Sequence, residues 1–353
     1  MMNASLHELG LVPFFFQQLS AAEHEHCHLA RVISVQRSGV TVTDGVSERE
    51  TRLGGPWHEV PATQRPTVGD WVLLNEQCTR IERVLERKSV FRRVAAGEKV
   101  EVQLIAANID TLFILTSCND EFKESRLERY VALAVEAGVV PVVVLTKSDL
   151  IGNSDAFVAR ARAVHPSIPI ETINALDRGT LGGLSAWITR GSTVALVGSS
   201  GVGKSTLVNS MLGVQVAETS GIREDDAKGR HTTSFRAMHR LPDGGLLVDV
   251  PGMRELKVAD LNSALNIVFE DIEAYAGHCR FKDCRHESEP GCAVREAVDA
   301  GELDARRWKN YLKLLREDAH YTSSLVEQHV QNRRFGKSAK QMMALKRELG
   351  LKR

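Results

Sequence analysis

No apolar run in this 353-residue sequence approaches the ~20 residues that cross a bilayer. The N-terminal "LVPFFFQQL" is short and has neither a basic leader nor a small-residue cleavage site, so it does not read as a signal peptide. A cytoplasmic protein with no membrane partner is expected. Net charge is also absent, since 45 Lys/Arg balance 45 Asp/Glu, but the balance is uneven. From Arg306 to Arg353 there are 13 basic and 4 acidic residues, a basic C-terminal arm that suits a polyanionic partner or a plain solvated tail. Aromatics are few, at 5 %. The apolar and charged fractions are nevertheless ordinary for a globular protein, and the length allows two or three domains. Of only six cysteines, Cys27, Cys78 and Cys118 are scattered and read as reduced residues without a special role. One further absence concerns function. After Val250 nothing has the form N/T-K-x-D, the guanine-selecting element that normally follows a phosphate loop.

What is present falls into three textures. Residues 28 to 86 alternate apolar and polar side chains in several short stretches, "HLARVISVQRSGVTVTDG", "VGDWVLLN" and "RIERVLE". They predict a small β-barrel, either an OB-fold or an SH3-like one. "RKSVFRR", residues 87 to 93, reads as a basic connector. From about Asn108, buried apolar runs alternate with helical patterns: "TLFILTS", a helix over 124 to 137, "VVPVVVLT", "STVALVG", the more exposed "SFRAMHRL", and "GLLVDV". That texture predicts a mostly parallel sheet covered on both faces, with ligands at the carboxyl ends of its strands. Beyond residue 255 the pattern is helical, and "LDARRWKNYLKLLRED" places Leu303, Trp308, Leu312 and Leu315 on a core-facing stripe. The predicted domains are 1–94 (barrel), 95–255 (nucleotide domain) and 256–353 (helical, with the basic tail).

The nucleotide domain holds "GSSGVGKST": Gly198, Ser199, Ser200, Gly201, Val202, Gly203, Lys204, Ser205 and Thr206. The glycines let backbone N–H groups wrap phosphates at a helix N-terminus, Lys204 neutralises the β/γ-phosphates, and the Ser205 hydroxyl ligates Mg²⁺. "DVPG" follows a strand, so Asp249 is a candidate to hold Mg²⁺ through water and Gly252 to sense the γ-phosphate. "GRHTTS" offers Thr232 or Thr233 as a switch threonine reaching the metal. "TKSD", Thr146, Lys147, Ser148 and Asp149, ends an earlier strand. Its carboxylate can accept from the guanine ring N–H and amine, and Lys147 can lay its stem over the base. Asn174-Ala175 is a possible second base loop. In chain order these are base-selecting element, second base loop, phosphate loop, switch I and switch II. This is the usual GTPase set, cyclically rotated.

Cys279, Cys284 and Cys292 stand with an imidazole inside fourteen residues. Three thiolates and a histidine make a closed tetrahedral zinc site of the structural kind, with His286 or His278 as fourth ligand.

The rotated order and this cluster together resemble the circularly permuted, small-ribosomal-subunit-dependent GTPases of bacteria, the RsgA, YjeQ or YloQ family, over nearly the whole chain. The resemblance implies an OB-fold N-terminus and slow GTP hydrolysis stimulated by the 30S subunit. It also implies a role in late 30S maturation, His286 as the zinc-binding histidine, and a catalytic histidine in switch I, here His231. Expected partners are GTP and GDP, the 30S subunit with its 16S rRNA, and other 30S assembly factors, with the chain itself a monomer. Two readings of other kinds are a P-loop ATPase or kinase, and an RNA-binding assembly factor with little GTPase activity.

Overall fold

The computed structural model describes residues 4–36, 39–94, 102–215, 236–249 and 261–323. His231, Thr232, Thr233, Gly252 and the arm beyond Ser323 lie outside them.

Three short helices lead in: α1 (Ala4–Glu8), α2 (Pro13–Phe16) and α3 (Ala21–His26). Five antiparallel strands follow, β1 (His28–Val35), β2 (Val40–Thr43), β3 (Glu48–Thr51), β4 (Trp71–Leu74) and β5 (Ile81–Val84), with α4 (Gly55–Glu59) between β3 and β4. They pair in the path β3–β2–β1–β4–β5. Among the described residues no pairing of β3 with β5 closes a ring, so the expected OB-fold barrel does not emerge from the pairings. The expected connector at 87–93 is corrected outright. It runs into β6 (Val90–Val94), which forms an antiparallel hairpin with β7 (Val102–Ala107). Phe91 is buried and Arg92 exposed, as strand alternation requires, and the half-buried Arg93 donates across the hairpin to the Gln103 side chain.

The second module is the expected mostly parallel sheet. Strands β8 (Thr111–Ser117), β9 (Val140–Thr146), β10 (Ile170–Thr172), β11 (Thr193–Gly198), β12 (Arg236–Arg240) and β13 (Leu246–Asp249) lie in the order β10–β9–β8–β11–β13–β12. Only β12 runs antiparallel to its neighbour in this set. All seven residues of β8 are buried, which is why its sequence is apolar without alternation. Helix α5 (Glu124–Glu136) covers one face with Leu127, Val131 and Ala134 buried, and ends where Gly138 takes a left-handed φ of 72°. Helices α6 (Asp155–Arg162) and α7 (Lys204–Leu212) complete this layer arrangement.

The N-terminal strands are continuous with this sheet, because β1 also pairs with β12, Ser34 opposite Ala237. Arg31 fixes the same junction. Its buried guanidinium donates to the carbonyls of Leu9, Gly69 and Asn108 and lies over the Trp71 ring, and desolvation pulls its pKa down to about 10.

At the C-terminal side α8 (Asn262–Val268) packs against α5, α9 (Glu270–Ala276) packs on α8, and α10 (Ala293–Asp299) packs on α9, while a helix over 305–323, α11, reaches α5 through side-chain hydrogen bonds. Leu303 and Leu312 are buried as expected, Trp308 and Leu315 pack at the core's margin, and Tyr311 and Leu314 join the core unannounced. Glu128 of α5 is fully buried and receives hydrogen bonds from Arg306, Arg307 and Asn310.

Candidate functional site

The candidate site lies at the carboxyl ends of β9, β11 and β13, where three of the expected elements meet. The phosphate loop leaves β11 at Gly198. A Cβ there would sit 2.5 Å from the Leu115 carbonyl oxygen of β8, so nothing larger than glycine fits so close to the neighbouring strand. The loop turns into α7 through Gly203 at φ 97°, which only glycine adopts without strain. Val202 is buried and plugs the loop from beneath. Lys204 Nζ folds back on the loop, donating to the Gly198 carbonyl at 2.7 Å and to that of Ser199. The ammonium thus lies inside the curl that would hold phosphates. Ser205 and Thr206 occupy the first turn of α7 behind it.

The base-selecting candidate abuts this loop directly. Thr146, fully buried at the end of β9, donates its hydroxyl to the Val202 carbonyl at 2.6 Å. Its own carbonyl accepts from Cys118 N at 3.0 Å. Lys147 then takes a left-handed φ of 58°, turning the chain out of the strand into the short helical turn Ser148–Leu150. Asp149 is left exposed, free of burial costs and open to a base. Asn174-Ala175 follows β10 and sits alongside. Asn174 closes a turn by accepting from Leu176 N, and the Ala175 carbonyl accepts from Ser210 of α7 at 2.6 Å. Helix α7 is therefore tied to the Asn174-Ala175 loop.

Asp249 ends β13, adjacent to β11. Burial pushes its carboxyl above the ordinary range, opposed by the nearby charges of His239 and Lys204. A half-buried carboxylate and a loop hydroxyl are the oxygen donors that suit Mg²⁺, and the Lys204 ammonium supplies charge for phosphates, not a metal ligand. Sequence reading missed His239, whose β12 position faces Leu247, two residues before Asp249. An alternating strand carries no signal that marks it.

The second cluster assembles as expected. The ligand atoms of Cys279, Cys284, His286 and Cys292 all lie within 4.8 Å of one another. Cys279 Sγ and Cys292 Sγ are each 3.5 Å from His286 Nδ1 and 3.9 Å from each other. Zinc–sulfur bonds of about 2.3 Å and zinc–nitrogen bonds of about 2.0 Å in a tetrahedron give edges of roughly 3.8 and 3.5 Å. The cluster therefore fits one zinc ion, with Nδ1 as the imidazole ligand. His278 is not part of it. Burial pushes the Cys284 thiol up to about 11, so a cation entering here displaces a proton. Glu289 shapes the ligand loop by accepting from the N–H groups of Arg285, Glu287 and Ser288 around His286. Sequence reading passed over it.

A sheet in which the base-selecting strand end precedes the phosphate loop defines the class as a circularly permuted P-loop GTPase. The RsgA GTPase family model matches residues 84–259. The chain is 48 % identical to "Small ribosomal subunit biogenesis GTPase RsgA 2" of Vibrio parahaemolyticus, over 97 % of this chain and 94 % of that protein. It is 43 % identical to "Small ribosomal subunit biogenesis GTPase RsgA" of Xanthomonas axonopodis pv. citri, covering 92 % and 90 % of the two chains. In fold it is similar to YjeQ from Thermotoga maritima, with TM-score 0.61, 25 % identity, and 83 % of this chain and 99 % of that one covered. It is also similar to YloQ, described as a circularly permuted GTPase, with TM-score 0.58, 21 % identity, and coverage of 86 % and 98 %. The chain belongs to the RsgA GTPase family and is a hydrolase of GTP.

Proposed function

We propose that this GTPase is a molecular switch that binds the 30S ribosomal subunit through its 16S rRNA and assists late maturation, in the cytoplasm and as a monomer. The hydrogen bond from Thr146 to the Val202 carbonyl carries the reading of the nucleotide site, because it joins the base-selecting element to the phosphate loop across the rotated chain order. The names of the relatives, which speak of small-subunit biogenesis, support the choice of partner.

In this reading Asp149 accepts from the guanine N–H and amine, Lys147 packs on the base, and Asn174-Ala175 closes its far side. Backbone N–H groups from Ser199 to Ser205 bind the phosphate oxygens, and Lys204 moves from the loop carbonyls to the β/γ-phosphates. Ser205, Asp249 and one of Thr232 or Thr233 would hold Mg²⁺, which supplies charge neutralisation between the phosphates. Gly252 would sense the γ-phosphate. The residue after it is Met253, which cannot orient a water, so intrinsic turnover is slow. His231 is assigned the catalytic role through the family resemblance. Zinc at Cys279, Cys284, His286 and Cys292 is structural, since the protein fills all four positions and leaves none open for chemistry. The basic arm adds phosphate contacts to rRNA.

GTP turnover with and without 30S subunits tests this function. Stimulation that is lost in His231→Ala is expected. Equal turnover with and without subunits would refute the partner.

A further inference from the structure

Arg126 lies in the first turn of α5, outside every motif the sequence singles out. Its Nη1 donates to the Ser199 hydroxyl, the residue that follows Gly198 in the phosphate loop, and to the Glu121 carbonyl at 3.3 Å. Lys204 Nζ meets the carbonyl of the same Ser199. Two cations therefore hold one loop residue, one by its side chain and one by its backbone. Their fates differ when phosphate arrives. Lys204 is drawn to the phosphate oxygens, and Arg126 becomes the cation that keeps Ser199 in place.

The element carrying Arg126 is firmly seated. One residue pair further on, Glu128 is locked to Arg306, Arg307 and Asn310, and Arg129 pairs with Glu317 at 2.8 Å. With the backbone beneath it anchored, only the Arg126 side chain is ordered by this contact, and the loop is shaped before its ligand binds. Its positive charge, partly offset by the Glu121 carboxylate at 3.9 Å, also adds to the field at a site for a polyanion.

We propose that Arg126 is a positioning residue for nucleotide binding, acting through the Ser199 hydroxyl to hold the phosphate loop in its receptive shape. This rests on the nucleotide-site reading above. Because it concerns the loop and not the γ-phosphate, it applies to GDP and GTP alike.

The test is calorimetric titration of GDP into wild type, Arg126→Ala, Arg126→Lys, Ser199→Ala and the Arg126→Ala/Ser199→Ala double variant. Arg126→Ala should weaken GDP about tenfold, the scale of one charge-assisted hydrogen bond. Arg126→Lys should recover most of that, since an ammonium can also donate to Ser199. The double variant should lose no more than the larger single loss, because both changes remove one interaction. Wild-type affinity in Arg126→Ala, or losses that simply add, would overturn the role of Arg126. Failure of the wild type itself to bind GDP would instead remove the nucleotide-site reading on which it stands.

Discussion

Arg307 of α11 and Glu128 of α5 meet at 3.1 Å with the carboxylate side chain fully buried, joining the C-terminal helices to the GTPase sheet. Arg307 also donates to Asp271 and to the Val268 carbonyl, and Arg306 and Asn310 share the Glu128 oxygens. Every lone pair of this buried charge is answered by C-terminal groups.

Removing Glu128 should therefore cost far more than removing a surface charge. Glu128→Ala strands the buried side of Arg307 and is expected to destabilise the chain by about 3–5 kcal/mol. Denaturant unfolding measures this directly. Glu128→Gln keeps an acceptor for Asn310 and should lose less. A cost below about 1 kcal/mol for the alanine variant would mean that the C-terminal helices are not seated through α5.

The metal cluster should be separable from the nucleotide site. Cys284→Ser removes one of four ligands, and is expected to drop zinc from one per chain toward none while GTP binding persists. Elemental analysis with a parallel nucleotide titration checks both. Loss of GTP affinity together with zinc would show that the cluster supports the GTPase sheet itself.

Acid should loosen the N-terminal helices. The Ser20 backbone N–H, and then Arg83, hold the Glu23 carboxyl down at about 2, against an ordinary value of 4.5. A depressed folded-state pKa gives stability that is present above the ordinary value and lost as pH falls from 4.5 toward 2. The stability difference between wild type and Glu23→Gln should be full at pH 6 and shrink across that window. A difference that does not change with pH would contradict the assignment.

The strands that carry the site were legible in the sequence because burial on both faces leaves unbroken apolar runs such as "TLFILTS". The shape of the loop from Gly198 to Gly203 was legible because glycine is required at its two ends by contact and by φ. Other features depend on distant partners. β3, "ERET", has three exposed residues and only Thr51 buried, so no alternation announces it. β6 hid behind its arginines. Glu128 and Arg307 look like solvated helix charges until the two helices are brought together. The pairing of Ser34 with Ala237 joins residues 203 positions apart, and no local pattern records it. One local signal was passed over: Ser20-x-x-Glu23 is a capping box, and it starts α3.

The most direct measurement is the affinity of Asp149→Asn for GTP and for xanthosine triphosphate. A carboxylate accepts from the guanine amine, whereas an amide can donate to the carbonyl that xanthine carries at that position. GTP should weaken by at least the ~1–3 kcal/mol of an unpaired polar group, and the xanthine nucleotide should gain. Unchanged GTP affinity with no gain for xanthosine triphosphate, in a folded variant, would contradict the guanine site at Thr146 to Asp149.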